Sequence, residues 1–357
     1  MHLEGMINYE LAKEMGLKDG KEAVLTRLGR NPFDAFNLYH TTLCSDFKTN
    51  VPILLNAIMK SRLREKIWFS QFQYSGLKVY ESTGLKVREQ LDVIINAFVH
   101  LKNTERAYHD IFIELVFDIP RGNANGFTYF SSHDYFREIV QLSKEERYMN
   151  YISGVGIGGR LEQNMISTHY KAKFEEVKST SNLQILPHAG EFGDTREINC
   201  ASIIDALKYS DRIGHGVTIG ECTGDESLAG AVLDICITSN LKFMNKYSSP
   251  QKHPVVALFK SHKITLSSDD PGILLRNEGG KEVNIDLNSE FALFASLLSG
   301  YSFAEKIDAL VTVSETAFQQ VQLLIDRGTR TSAYKGAVLA VLQKKRDQIK
   351  ILQVMLP

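Results

Sequence analysis

The chain has 357 residues, 43% of them hydrophobic, enough for one large domain or two small ones. Its 41 Lys and Arg nearly balance 42 Asp and Glu, leaving a formal net charge of -1, so no basic field draws it to nucleic acid or acidic lipid. The sequence has no unbroken apolar run of about eighteen residues to mark a membrane span, and no basic stretch before an apolar core to mark a signal peptide; a cytoplasmic location is expected.

Short apolar runs alternate with longer amphipathic ones along the chain. Lys66–Gln73 reads as a strand, and Val87–Lys102 as a helix with apolar residues at three- and four-residue spacing. Ile111–Ile119 is a strand, Asp134–Leu142 a short helix, and Tyr151–Ile157 and Leu183–Pro187 are strands. Then come a helix at Asn199–Tyr209, a strand at Asp211–Gly214, a helix at Ser227–Leu233 and a strand at Leu233–Thr238. A helix at Val255–Ser261 leads to a last strand, Lys263–Ser267. Ser302-Phe-Ala-Glu305 is a capping box opening a helix, and Tyr334–Leu352 reads as a long charged helix packed outside the rest.

Seven strands alternating with helices fit a parallel α/β fold, and polar residues follow the strands where a (β/α)8 barrel places its chemistry. A doubly wound sheet is the alternative. It lacks its phosphate-binding turn, because Gly154-Val-Gly156-Ile-Gly158-Gly159 has the wrong spacing and no helix start follows closely. The expected fold is a TIM-type (β/α)8 barrel with extra helices and a truncated first strand. It spans residues 1–357 as one domain, with 330–357 as a helical tail. The four cysteines, Cys44, Cys200, Cys222 and Cys236, form no CxxC pair, so free thiols are expected.

Three runs end strand-like stretches in metal-competent side chains: His188-Ala-Gly-Glu191, Arg212-Ile-Gly-His215-Gly216 and Ser267-Ser-Asp269-Asp270-Pro271-Gly272. A neutral imidazole suits a divalent transition metal, and a carboxyl close by can work as acid or base outside the metal shell. Glycines flanking His215 let the backbone approach a ligand. Adjacent carboxylates at a strand end can divide their work between metal and water. Each run also has a plain reading: a surface histidine, a turn histidine, and an Asp-Asp-Pro-Gly turn. His2-Leu3-Glu4-Gly5, at the start, would ordinarily be set aside as a frayed terminus. Together the runs point to an enzyme that activates water on a metal.

The order His-Leu-Glu-Gly, His-Ala-Gly-Glu, Gly-His-Gly, Ser-Asp-Asp-Pro resembles the adenosine/AMP deaminase family, and Cys236-Ile-Thr-Ser-Asn240 is similar to that family's Cys-Pro-Thr-Ser-Asn run. The resemblance implies a metal-dependent barrel that hydrolyses the 6-amino group of a purine, with one Zn2+ or another divalent transition metal per chain. It implies His2, His188 and Asp269 as metal ligands and Glu191 as proton donor to the purine ring nitrogen. His215 would be the base that takes a proton from metal-bound water, and Asp270 the residue that orients this water. Gly159 would offer its backbone N–H to the purine. Glu4, where many nucleoside-specific members have Asp, resembles members acting on adenine or modified adenosines. Lys246, Lys252 and Arg276 on strand-end loops keep a nucleotide substrate open.

One departure stands out. The family begins with His-x-His on its first strand, and here the first His would fall immediately before Met1. Either an original His-Met-His-Leu-Glu-Gly is read from an internal Met, or a ligand has been lost. The first is expected, because a barrel of eight strands does not close neatly with seven. The second would make a purine-binding homologue impaired in catalysis. A two-metal amidohydrolase, such as a lactonase, ranks last because no strand-ending Lys is placed to bridge two ions.

Overall fold

All seven expected strands form, close to their expected bounds: β1 (Phe69–Tyr74), β2 (Phe112–Pro120), β3 (Ile152–Gly158), β4 (Gln184–Ala189), β5 (Ile213–His215), β6 (Val232–Ile235) and β7 (Lys263–Leu266). The computed structural model describes residues 2–120, 135–159, 171–210, 212–223, 226–244, 246–278 and 281–355. Asp134 and Asp211, the first residues of two expected elements, lie outside these. The strands pair in parallel in chain order from β1 to β7. β3 and β4 are buried at every position, which is why their sequences read as continuous apolar runs instead of alternating ones.

The sheet curls into most of a barrel and remains open between β1 and β7, where a first strand would stand. Residues at the N-terminus enter the mouth end of that gap. His2 bridges Gln73 of β1, Leu3 N–H donates to Gln73 O at 2.8 Å, and Gly272 N–H, beyond β7, donates to Gly5 O at 2.7 Å. The expected truncation of strand one is therefore what the fold has. The glycines of β3 make room inside the barrel: a Cβ at Gly156 would lie 2.7 Å from Asp118 Oδ1, and one at Gly158 2.7 Å from its Oδ2.

Four helices, Tyr9–Glu14, Lys21–Arg30, Pro32–Ser45 and Phe47–Glu65, precede β1 and were not expected from the sequence. Caps set their starts: Asn8 accepts from Leu11 N–H, Asn31 from Phe33 N–H, and Asp46 from Thr49 N–H. The short antiparallel hairpin β8 (Leu275–Glu278) and β9 (Lys281–Asn284) also went unread. At the other end, the Ser302/Glu305 capping box opens Phe303–Arg327 as expected. The last helix, Ser332–Met355, docks through Val338 and Leu342 on Trp68, Phe112 and Ile325. A buried ion pair fastens the start of this segment, with Arg330 Nε donating to Glu114 Oε1 of β2 at 2.9 Å and Tyr334 OH donating to the same oxygen at 3.0 Å.

Three expectations are corrected. Ser227–Leu233 is not an α-helix: a 3-10 turn covers Glu226–Gly230, and β6 takes over at Val232, because the apolar residues after Gly230 are claimed by the barrel wall. The strand expected to run to Thr238 stops at Ile235, and Ile237–Phe243 is a helix whose first turn is bonded to Glu290 at Thr238 N–H. Cys200 and Cys222 are joined in a disulfide, whereas Cys44 and Cys236 are free and buried. Their separation of 22 residues gives no sequence signal; they meet because the segments following β4 and β5 are neighbours in the barrel. Among the described residues no helix is long and apolar enough to cross a membrane.

Candidate active site

The C-terminal ends of the strands converge on a cavity of about 290 Å³ whose lining includes His2, Asp118, Gly159, His188, Glu191, His215, Asp269 and Asp270. His188 lies near the end of β4, and its Nδ1 is 3.1 Å from Ile157 O. A carbonyl only accepts, so Nδ1 carries the proton and Nε2 keeps the lone pair a metal needs. Gln73 Nε2 is placed 3.4 Å from that same Nδ1, which would set donor against donor. The carbonyl decides, and the Gln73 amide belongs in the reverse orientation, with its otherwise unpartnered Oε1 toward the ring.

His215 ends β5 and Asp269 follows β7, each at a positive φ, 63° and 53°. The left-handed region is costly for side chains with a Cβ and is found where surrounding contacts over-determine it. Here those contacts are Asn240 Nδ2, 3.0 Å from His215 Nδ1, and Ser239 Oγ, which donates to Asp269 Oδ2 at 2.6 Å. His215 Nε2 lies 3.3 Å from Glu191 Oε2 and 4.0 Å from Asp269 Oδ2. The side chains of Glu191, His215, Ser239, Asn240 and Asp269 are all buried.

Ligand atoms of His2, Asp269 and Asp270 lie within 4.8 Å of one another, and so do those of His215, Cys236 and Asp269. The His188 ring is centred 5.6 Å from that of His2 and 5.0 Å from that of His215. Burial, then the neighbouring His188, holds the His2 imidazole well below its ordinary pKa, in its neutral, ligand-competent form. Burial and the adjacent Asp269 push Asp270 well above the ordinary carboxylate range. His2 Nδ1 and Asp270 Oδ1 are buried with no hydrogen-bond partner among the described residues. A divalent cation would answer both the orphaned atoms and the crowded carboxylates, so the donor set fits a transition-metal ion.

Of the metal, catalytic and substrate residues that the resemblance implies, Glu4 alone is not among the described residues lining the cavity. It is fully buried behind it, accepts from Ser75 N–H at 3.2 Å, and is raised to about 7 by burial. Lys246 lies instead at a neighbouring polar cleft, ion-paired with Glu221. Asp118, Ser239, Asn240, His253 and Glu290 were not assigned roles from sequence. Ser239 and Asn240 left a signal there as part of the Cys236–Asn240 run, and Asp118 as a carboxylate inside the apolar run of β2. Phe33, Phe192 and Phe243 form an aromatic wall, with the Phe33 and Phe243 rings 4.9 Å apart, and Lys78 is the one Lys or Arg among the described lining residues.

Parallel strands curled into a barrel, with imidazoles and carboxylates gathered at the strand ends, give the chain a TIM-type amidohydrolase fold. The chain belongs to the adenosine deaminase family: the family model described as "Adenosine deaminase" matches residues 50–278. It is 29% identical over 212 residues to the aminodeoxyfutalosine deaminase of Acidothermus cellulolyticus, covering 56% of this chain and 52% of that protein. It is 33% identical over 129 residues to the adenosine deaminase of Plasmodium gallinaceum, covering 33% of this chain and 34% of that one. The chain thus spans about half the length, or less, of these curated relatives. Over whole folds, it resembles the adenine deaminase of Arthrobacter aurescens at TM-score 0.69 and 16% identity, covering 97% of both chains. It resembles the N6-methyl-AMP deaminase of Arabidopsis thaliana at TM-score 0.65 and 20% identity, covering 96% of this chain and 94% of the other. A zinc-bound amidohydrolase matches at TM-score 0.68 and 17% identity, covering 99% of this chain and 90% of that one.

Proposed function

We propose that the chain hydrolyses the exocyclic amino group of an adenine-containing small molecule (adenosine, adenine or a modified adenosine), releasing ammonia and the 6-oxo purine. The observation that carries this reading is the meeting of His2, His188, Glu191, His215, Asp269 and Asp270 around one cavity. The names of its relatives, which include an aminodeoxyfutalosine deaminase, an adenosine deaminase and an adenine deaminase, support it. The partner is a small purine, not nucleic acid or membrane, and the location is cytoplasmic.

His2, His188 and Asp269 would hold a single Zn2+, which supplies Lewis acidity and lowers the pKa of water toward ~7. Glu191 holds a proton for the purine ring nitrogen, where electron density collects as the amino-bearing carbon becomes tetrahedral. General acid catalysis of this kind contributes about 10²–10⁴ in rate. Asp270, next to Asp269, orients the attacking water. Gly159 at the cavity wall offers its backbone N–H to the base, and Glu4 acts on the substrate side through Ser75, which does line the cavity.

The open side of the barrel favours a second reading, a purine-binding homologue impaired in turnover. Metal content by mass spectrometry, together with ammonia release from adenosine and adenine and methylamine release from N6-methyl-AMP, separates the two. Zinc near one per chain with turnover is expected. Stoichiometric zinc with no amine released from any of the three would overturn the first reading. The Glu191→Gln variant should lose about 10²–10⁴ in kcat with little change in KM.

A further inference from the structure

A hydrogen-bond chain outside the metal cluster ends on His215, and it starts from a donor whose identity is not in question. Val255 N–H, at the start of helix Val255–Ser261, lies 3.1 Å from His253 Nδ1. A backbone N–H can only donate, so Nδ1 of His253 holds a lone pair and the proton of the neutral ring sits on Nε2. Burial keeps that ring neutral, lowering it from 6.5 to about 4. His253 Nε2 is 3.3 Å from Asn240 Oδ1. The donating ring fixes the amide with its oxygen toward His253, leaving Asn240 Nδ2 to donate to His215 Nδ1 at 3.0 Å. Nδ1 of His215 therefore carries a lone pair, and the proton of its neutral ring is on Nε2, the atom that faces Glu191 Oε2 and Asp269 Oδ2. All three relay side chains are buried, Asn240 completely, so bulk water does not compete for these bonds.

We propose that His253, acting through Asn240, is a positioning residue that holds His215 in its Nε2-protonated tautomer, so that His215 enters the reaction as a hydrogen-bond donor. An imidazole already protonated at Nε2 cannot take up a proton there. The proton of the attacking water then has to go to a group other than His215 Nε2. The catalytic part rests on the proposed deamination; the tautomer does not.

The test is long-range 1H–15N correlation on zinc-loaded protein with labelled histidine, assigning His215 and His253 by single substitutions. Both rings should report protonated Nε2 and unprotonated Nδ1; a protonated Nδ1 on His215 overturns the inference. The Asn240→Asp variant, which can only accept, should move the His215 proton to Nδ1 and lower kcat for adenosine about 10²-fold, with KM changed less than about threefold. An unchanged tautomer in folded Asn240→Asp also overturns it. His253→Leu should give the same tautomer change, while His253→Gln, which keeps a donor toward Asn240, should restore the wild-type signal. If Asn240→Asp does not fold, the two His253 variants decide. Wild-type protein with the expected tautomer but no ammonia release would remove the proposed reaction and leave the inference standing.

Discussion

A Cβ added at Gly5 would lie 1.8 Å from Asp270 Oδ1, so the N-terminal turn and the Asp270 carboxylate are fitted to each other at a single atom. Gly5 also accepts from Gly272 N–H, so its backbone cannot retreat without breaking the link across the open side of the barrel. Gly5→Ala should lower stability by about 1–3 kcal/mol through overpacking. It should also weaken zinc binding about 10–100-fold, as loss of an outer support does. Denaturant titration and competition with a zinc indicator check the two effects; a variant matching wild type in both would show that Asp270 has room to move. At this scale the sequence was informative where chemistry ends a strand. His188, His215, Asp269 and Asp270 each close an apolar run, and in the fold they line one cavity. It was silent where a role depends on a partner far along the chain. His253 is an ordinary loop histidine until Asn240 and Val255 are placed beside it.

Between β4 and β6, the segment that carries Glu191 and the one that follows His215 are tied together by several bonds. Thr218 Oγ1 donates to Gly190 O at 3.0 Å, and Arg196 Nε to Glu221 O at 2.7 Å. Asn199 clamps Gly193 through both its amide atoms, at 3.0 and 3.1 Å. The Cys200–Cys222 disulfide closes this set, joining helix Arg196–Leu207 to the segment after β5. Reducing it should cost about 3 kcal/mol for a loop of this length. It should also speed tryptic cleavage at exposed Arg196. Melting curves and limited digestion with and without a phosphine reductant test this, and identical behaviour would mean that the two loops are held without the covalent bond. The strands were legible because both faces of a parallel strand are buried and the whole run turns apolar. The helices before β1 were not: Phe47–Glu65 mixes Lys, Arg, Asn and Pro52 into its buried pattern, which blurs the helical period.

Across the whole molecule, the count of strands already implied an incomplete barrel, but not that residues 2–5 would reach into the gap and join β1 to the loop after β7. The fold buries ionisable groups that water would otherwise solvate, and these give it a pH dependence with two opposing arms. Burial raises Glu4 and Glu290 from 4.5 to about 7. Their contribution is complete below about pH 4.5 and is lost as pH rises through 7, because the folded state must then hold a buried carboxylate. His40 and His253 are lowered by burial from 6.5 to about 4, so their contribution is present above pH 6.5 and lost as pH falls through 4. Glu290 isolates one arm. Both its oxygens accept from Thr238 N–H, at 3.2 and 3.3 Å, and a Gln can keep one of those bonds without ever ionising. The stability of Glu290→Gln relative to wild type should therefore improve as pH rises from 4.5 to 8, by up to about 3 kcal/mol. Denaturant unfolding of both proteins at matched zinc load, across that range, measures it. A difference that stays flat, or that grows toward low pH, would mean that Glu290 ionises in the fold as readily as it does in the unfolded chain.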